Sequence, residues 1–484
     1  MSTADHLIML REGQMVQGSS QQETRRILKL AAADSKKHLA IFFHGGLVSE
    51  KGGLETMEKL IGPYSDNSYP LFFIWHSGWN EVLINALPKI VDNAVGYQQL
   101  MQYLKQMVAK KLGAELGTKS LEDRMPPLAI ALEVVAAADS AGQKPQTKLN
   151  AEDEREFVDA LAGDAKLQQL FNAPVQYDGN RGIAETVRTT DPFMDPQLLS
   201  RASTTEEEEG LKSFGPVQFL SPAFLGQAVK VLRKIFIRFA TGRDHGIHLT
   251  ISEEILRAFY VGAIGKGLWD QMKEETQAAF GDDPATFGGT ALLQEIKALG
   301  PETFDRITLL GHSAGSIYIF RLLEAAHRQM PGAKFDVVFF APAATCDLAA
   351  QQFERRPDQI NRIRTFTMKD PLEQANSIFD NLADVLRPIY PSSLLYAISG
   401  LLEEMADEPI LGMARFIESS RFRNLDSSVE LCAKPLVDGN CSVFSKTAPQ
   451  SPAGRGSQAS THGGFPTEPE TLDSTKDLLA GNWG

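Results

Sequence analysis

Gly311-His312-Ser313-Ala314-Gly315 sets a serine between two glycines. A serine hydroxyl is a poor nucleophile until a neighbouring base takes its proton, so G-x-S-x-G carries chemical meaning only where the chain holds the serine within reach of one. The pattern alone is a weak signal. Its surroundings strengthen it. The apolar run Ile307 to Leu310 reads as a strand leading in, and the apolar-periodic stretch Ala314 to Met330 reads as a helix leading out. A tight turn between them lifts the hydroxyl above the sheet edge, and the glycines keep Cβ atoms out of the crowded turn. The helix then aims its first amides at any negative charge that develops there. Those are the requirements of acyl transfer: attack on a carbonyl carbon through a tetrahedral oxyanion.

The tripeptide His-Gly-Gly occurs twice, at His44 to Gly46 and at His462 to Gly464. The first copy follows the apolar run Leu39 to Phe43, and its glycines let a substrate oxygen approach backbone amides closely. The second lies in a polar loop, where the imidazole is the chemically useful part. Taken with these, "GHSAGS" resembles the nucleophile elbow of the α/β-hydrolase superfamily, in its esterase and lipase-like members. In that family the partners follow in the order nucleophile, acid, base. The resemblance implies Ser313 as nucleophile, Asp370 at the end of the apolar run "IRTFTMKD" as acid, and His462 as base. His462 is the one histidine downstream of Asp370. Asp347, after the preceding strand, is the runner-up acid, with Glu373 and Asp384 as further rivals. The resemblance also implies an oxyanion hole built from the amide of Ala314 and from the Gly45, Gly46 and Leu47 segment, with His44 a hydrogen-bonding support behind it. Two glycines stand there, not the three of the HGGG esterases.

The elements that must position these residues are short, continuous apolar runs: His38 to Gly45, Tyr69 to Gly78, Arg306 to Ser313, Phe335 to Ala343 and Ile363 to Asp370. Continuous runs suit strands covered on both faces, and the helical stretches between them indicate a mostly parallel α/β sheet with right-handed crossovers. "HLIMLREGQMVQG" supplies a further edge strand, and "NCSVFSK" a last strand before the His462 loop and a final helix. The expected architecture is an α/β-hydrolase fold, a parallel central sheet flanked by helices. Residues 1–80 form the first part of the core, 81–300 a large, mostly helical cap inserted before the elbow, and 301–484 the second part. Within the cap, "ISEEILRAFYVGAIGKGLWDQMKEETQAAF" reads as a helix with Ser252 as N-cap. His76 and Trp79 stand near the site entrance. "PIYPSSLLYAISGLLEEMADEPILGMARFI" reads as an apolar helical stretch.

The remaining composition narrows the function. A net charge of -13 argues against a nucleic-acid partner, which needs a basic footprint. The three cysteines form no CxxC pair, so free thiols are expected. His245 and His248 alone make weak metal ligands, and a Ser-His-Asp site needs no metal or organic cofactor. The stretch "LSPAFLGQAVKVLRKIFIRFATGR" sets Lys230, Arg233, Lys234 and Arg238 beside an apolar helical face. That pattern fits a helix packed on the core, and less readily a peripheral contact with an anionic membrane. With no signal peptide and no run long enough to span a bilayer, the expected location is cytoplasmic. The expected substrate is a small-molecule or lipid ester, with a peptidase, a thioesterase or a silent binding protein on the same fold as alternatives.

Overall fold

The computed structural model describes residues 3–16, 18–46, 48–75, 95–115, 138, 143–145, 148–172, 176–177, 186–187, 194–195, 198, 220–260, 266–300, 303–376 and 390–484. Leu47, His76, Trp79 and Asp384 lie outside them.

The N-terminal run forms strand β1 (Leu7–Arg11), which turns through Glu12 and Gly13 into the two-residue strand β2 (Gln14–Met15). Helix α1 (Gln21–Ala33) follows, capped by the Ser20 side chain, which accepts from the Glu23 amide. Then come β3 (His38–Phe43), α2 (Glu50–Ser65) and β4 (Tyr69–Trp75). The next described elements are helices α3 (Val95–Glu115), α4 (Ala151–Ala162) and α5 (Ala165–Asn172), then the small hairpin of β5 (Gln176–Tyr177) and β6 (Thr186–Val187). Helices α6 (Pro222–Thr241), α7 (Ile247–Phe259), α8 (Lys266–Ala278) and α9 (Gly288–Leu299) complete this part. The chain then returns to the sheet with β7 (Arg306–His312), α10 (Gly315–Gln329), β8 (Phe335–Phe340), α11 (Cys346–Arg355) and β9 (Ile360–Met368). A short helix, α12 (Asp370–Gln374), follows β9, and β10 (Ser442–Ser445) and α13 (Pro469–Ala480) close the chain.

The eight core strands form one sheet in the order β10-β9-β8-β7-β3-β4-β1-β2, parallel except where β2 runs against β1. The N-terminal run therefore gives an interior strand and an edge strand. The chain steps from β3 to β4 in one direction and from β7 through β8 and β9 to β10 in the other. With right-handed crossovers, opposite steps put the connecting helices on opposite faces. Alternation along the strands shows it. Leu39, Ile41 and Phe43 join a core with α1, α9 and α10, while Ala40 and Phe42 join a core with α2 and α13. Between β3 and β7 the turns diverge, and in open α/β sheets the carboxyl ends of the strands at such a switch point are where ligands bind.

The inserted helices are not a separate body. Leu104, Phe157, Leu170, Phe224, Leu232, Ile255 and Trp269 belong to the same buried cluster as the sheet residues. Its last helix, α9, packs on α1 and α10 in the layer that covers the sheet. Two local expectations change here. Helix α7 begins at Ile247, so Ser252 is an interior residue and not an N-cap. It is buried, with its hydroxyl 3.0 Å from that of Tyr97. The segment after Tyr390 is also less regular than its apolar run suggests. It holds one turn at Leu394–Ala397, a wider turn at Ile398–Leu402 and another turn at Ala414–Ile417. Apart from the exposed Met405, most of its apolar residues are buried because the segment packs across the ends of β8 and β9, where the Leu411 amide donates to the Ala344 carbonyl at 2.9 Å.

Candidate active site

Ser313 sits at the end of β7 with φ 53°, in the left-handed region that side-chain-bearing residues rarely adopt. Such strain persists only where neighbours over-determine it. The Ser313 amide donates to the Phe340 carbonyl at 2.9 Å. Its own carbonyl accepts from the amides of Ser316 and Ala343, each at 3.0 Å, and from the Ser316 hydroxyl at 2.6 Å. The flanking glycines are required by space. A Cβ on Gly315 would lie 2.3 Å from the Phe43 carbonyl oxygen, and one on Gly311 would lie 2.7 Å from Ile319 Cδ1. Helix α10 has no side-chain cap, because its N-cap residue is Ala314. Among the described residues, no backbone carbonyl takes the amide of Ala314 or that of Gly46.

The first His-Gly-Gly packs against this turn. A Cβ on Gly45 would stand 3.0 Å from His312 Nδ1 and 3.2 Å from Ser313 Cβ. His44 is turned away from the serine and buried. Its Nε2 accepts from the Trp75 amide at 3.0 Å, so the proton is on Nδ1, which donates to the Gly45 carbonyl at 2.8 Å. Burial pushes this imidazole down to about 4, so it is neutral at ordinary pH. His44 therefore shapes the loop and does not act as a base.

The second His-Gly-Gly opens a short turn, His462–Thr467, beyond the loop that follows β10. This loop crosses the ends of β9 and β8 to reach β7. His312 Nε2 donates to the His462 carbonyl at 2.9 Å, and the two rings lie 5.3 Å apart. The sheet thus brings Ser313, Gly45 and His462 together, although they are far apart in sequence. The His462 ring is buried and neither nitrogen has a hydrogen-bond partner, so it touches neither Ser313 Oγ nor Asp370 through a hydrogen bond. Burial, with His312 beside it, holds His462 well below the ordinary histidine range.

Asp370 stands where the sequence places it, at the start of α12 just past β9, but it is otherwise engaged. Its Oδ1 accepts from the Tyr396 hydroxyl at 2.6 Å and its Oδ2 from Gln374 Nε2 at 2.9 Å. Asp347 is exposed on the first turn of α11 and lines an open cleft of about 210 Å³ with Lys273, Arg321 and Glu403. Glu373 is buried, and neither of its oxygens has a partner.

Tyr396 links Asp370 to a buried charge network. The edge of its ring packs on His245 at 4.7 Å. His245 lies between Glu253 and Asp407, at 2.8 Å from each, and Arg238 bridges Glu253 and Glu254 at 2.7 and 3.0 Å. Arg415 adds a 3.0 Å contact to Asp407. His245 is thus occupied by carboxylates, and among the described residues no group of three or more His, Cys, Asp or Glu is arranged to hold a metal ion. Arg238, read from the sequence as part of a basic stripe, is buried in this network, and Arg233 pairs with Glu154 at 2.6 Å. Nothing in the spacing of these residues announces the network, which forms only when α6, α7 and the 390–415 segment meet.

No match was found. Family models, curated proteins and solved structures were all compared with this chain without result. Among the described residues no helix is long and apolar enough to cross a membrane.

Proposed function

We propose that this chain is a serine hydrolase of the α/β-hydrolase type, cleaving carboxylic esters of small acyl or lipid substrates. One observation carries the reading. Ser313 is held at positive φ in a glycine-flanked turn between strand and helix, at the point where the sheet order reverses. In the reaction the Ser313 hydroxyl attacks the ester carbonyl while His462 takes its proton. The amides of Ala314 and Gly46 support the oxyanion. The alcohol leaves with the proton from His462, and a water activated by the same ring releases the acid. A carboxyl group following β9 orients the imidazole. A cytoplasmic setting goes with this reading, since the three thiols are unbridged. A peripheral membrane contact would rest on Lys230, Lys234 and Ile237, exposed along α6, a narrower stripe than the sequence suggests.

The test is a fluorophosphonate probe on the full chain. Labelling that maps to Ser313 and disappears in Ser313→Ala supports the proposal; no labelling of the native chain refutes it. A chain-length series of acyl esters, phospholipids included, then separates esterase from lipase. The unpartnered His462 ring favours one second reading, a binding protein without turnover on the same fold. That reading predicts an unlabelled serine.

A further inference from the structure

Two buried groups at the carboxyl end of the sheet lack partners, and they match chemically. Among the described residues, Glu373 is the one buried carboxyl residue with neither oxygen hydrogen-bonded. His462 is the one buried imidazole with neither nitrogen hydrogen-bonded. They are 1% and 5% exposed. Burying polar groups without partners costs free energy, and such groups in a native interior call for a functional explanation.

The two sit on elements that are tied together. Glu373 lies in α12, immediately after β9. The same turn closes at Asn376, whose amide donates to the Glu373 carbonyl at 3.2 Å. The Asn376 side chain in turn donates to the Ser460 carbonyl at 3.0 Å, two residues before His462. Asp370 presents the opposite picture, with both oxygens occupied by Tyr396 and Gln374 and partial exposure. Resting on the reading of Ser313 and His462 above, we infer that Glu373 is the carboxyl group that positions the His462 imidazole during the reaction. Asp370 instead anchors Tyr396 and, through it, the buried charge network.

The protons balance as follows. Ionised Glu373 accepts one ring N–H of His462, which leaves the other nitrogen to take the proton from Ser313 Oγ. The imidazolium then faces a carboxylate, and the proton passes on to the leaving alcohol. Burial pushes the Glu373 carboxyl up to about 8; the Ser393 hydroxyl opposes this, and the nearby Asp370 charge adds to it. Asp370 in turn faces Tyr396 and Arg415, and His462 faces His312. While the Glu373 and His462 couple holds a proton beyond the single ring N–H, His462 has no free nitrogen for the one from Ser313. The couple therefore titrates as a unit, and activity climbs as pH rises toward about 8.

Glu373→Gln, Glu373→Asp and Asp370→Asn in the full chain test this, read by p-nitrophenyl butyrate hydrolysis from about pH 6 to about pH 10. The expected loss in Glu373→Gln is about 10²- to 10⁴-fold, with the rising limb abolished. Glu373→Asp recovers at least about tenfold of this, and Asp370→Asn stays within about tenfold of the native chain. An Asp370→Asn loss equal to or above that of Glu373→Gln overturns the inference, as does a rising limb that survives in Glu373→Gln. A second readout does not depend on turnover: the ¹³Cε1 histidine resonance that disappears in His462→Gln. Its titration moves in Glu373→Gln and not in Asp370→Asn if Glu373 contacts the ring; an unmoved titration in Glu373→Gln overturns the contact. Should Ser313 take no probe, the hydrolase reading fails while this resonance still decides the pairing.

Discussion

The close approach of Gly315 to β3 gives the sharpest mechanical prediction. In Gly315→Ala the new methyl would stand 2.3 Å from the Phe43 carbonyl oxygen, 2.9 Å from the Phe43 carbonyl carbon and 3.0 Å from the His44 carbonyl oxygen. Ordinary van der Waals contact begins at 3.4 Å, so α10 and the end of β3 must part by about 1 Å. The obstacle is backbone, and Phe43 is paired in register with both Gly311 and Phe73, so no side-chain rotation relieves it. Overpacking of this kind costs about 1–3 kcal/mol, and a rigid obstacle puts the change near about 3 kcal/mol. Gly311→Ala is the control. Its nearest obstacle at 2.7 Å is the end of the Ile319 side chain, which can turn, and the Gly315 backbone carbon and oxygen stand farther off at 3.0 Å, so its cost is the smaller of the two, about 1–2 kcal/mol. Urea unfolding measures both: the midpoint falls in the order native, Gly311→Ala, Gly315→Ala, with the slope unchanged. The same shift of about 1 Å separates the Gly45 loop from Ser313 and lowers ester turnover on the order of 10²-fold in Gly315→Ala. A Gly315→Ala protein with the native midpoint and turnover within about twofold would refute the reasoning.

Gly45→Ala sets a methyl 3.2 Å from Ser313 Cβ, its nearest neighbours being side-chain atoms of His312 and Ser313, so probe labelling should fall at least about tenfold while the unfolding free energy from urea titration stays within about 0.5 kcal/mol of native. Asp407→Asn removes a charge that His245, Arg415 and Arg243 all face in the interior; unfolding should detect a loss of about 3–5 kcal/mol. The chain should also be acid-labile. His38, His44 and His312 are each held down to about 4, chiefly by burial. Their folded values lie below the unfolded value of about 6.5, so the unfolded chain binds more protons and stability falls as pH drops between about 6.5 and about 4. Each site contributes at most about 3 kcal/mol over that window. Glu253, held down to about 2 by His245 and Arg238 although burial opposes it, extends the loss below about 4.5. Thermal melting against pH checks this; a melting temperature independent of pH between about 7 and about 4 would contradict it.

The sheet was legible because its strands are covered on both faces and so read as unbroken apolar runs; β3, β7 and β8 fall within a few residues of the segments that "HLAIFFHG", "RITLLGHS" and "FDVVFFAPA" suggest. The turn at Ser313 was legible because glycine spacing reports backbone crowding, which is local. The partners of Asp370 were not. Being next to the end of a strand fixes where its Cα lies, but the carboxylate follows whichever donor packs nearest, and Tyr396 comes from a segment whose path the sequence does not reveal. Glu373 was hard to single out for a related reason. It is separated from Asp370 by two residues on the same helical turn, and only tertiary packing makes one buried and the other partly exposed. Ser252 misled because a serine followed by two glutamates imitates a helix start, whereas here the glutamates are buried against Arg238 and the helix has already begun.

The hydrogen bond from His312 to the His462 carbonyl grips main chain, not ring. It fastens the loop at the Cα of His462 to the residue that precedes the serine, so the loop and the elbow travel together if the sheet edge breathes. The ring is left with two torsions about a fixed pivot. Reorienting the ring about that pivot is then a side-chain rotation inside a buried setting, and not a movement of the loop. A chain built this way orders its histidine loop once, when it folds, and surrenders that conformational entropy then.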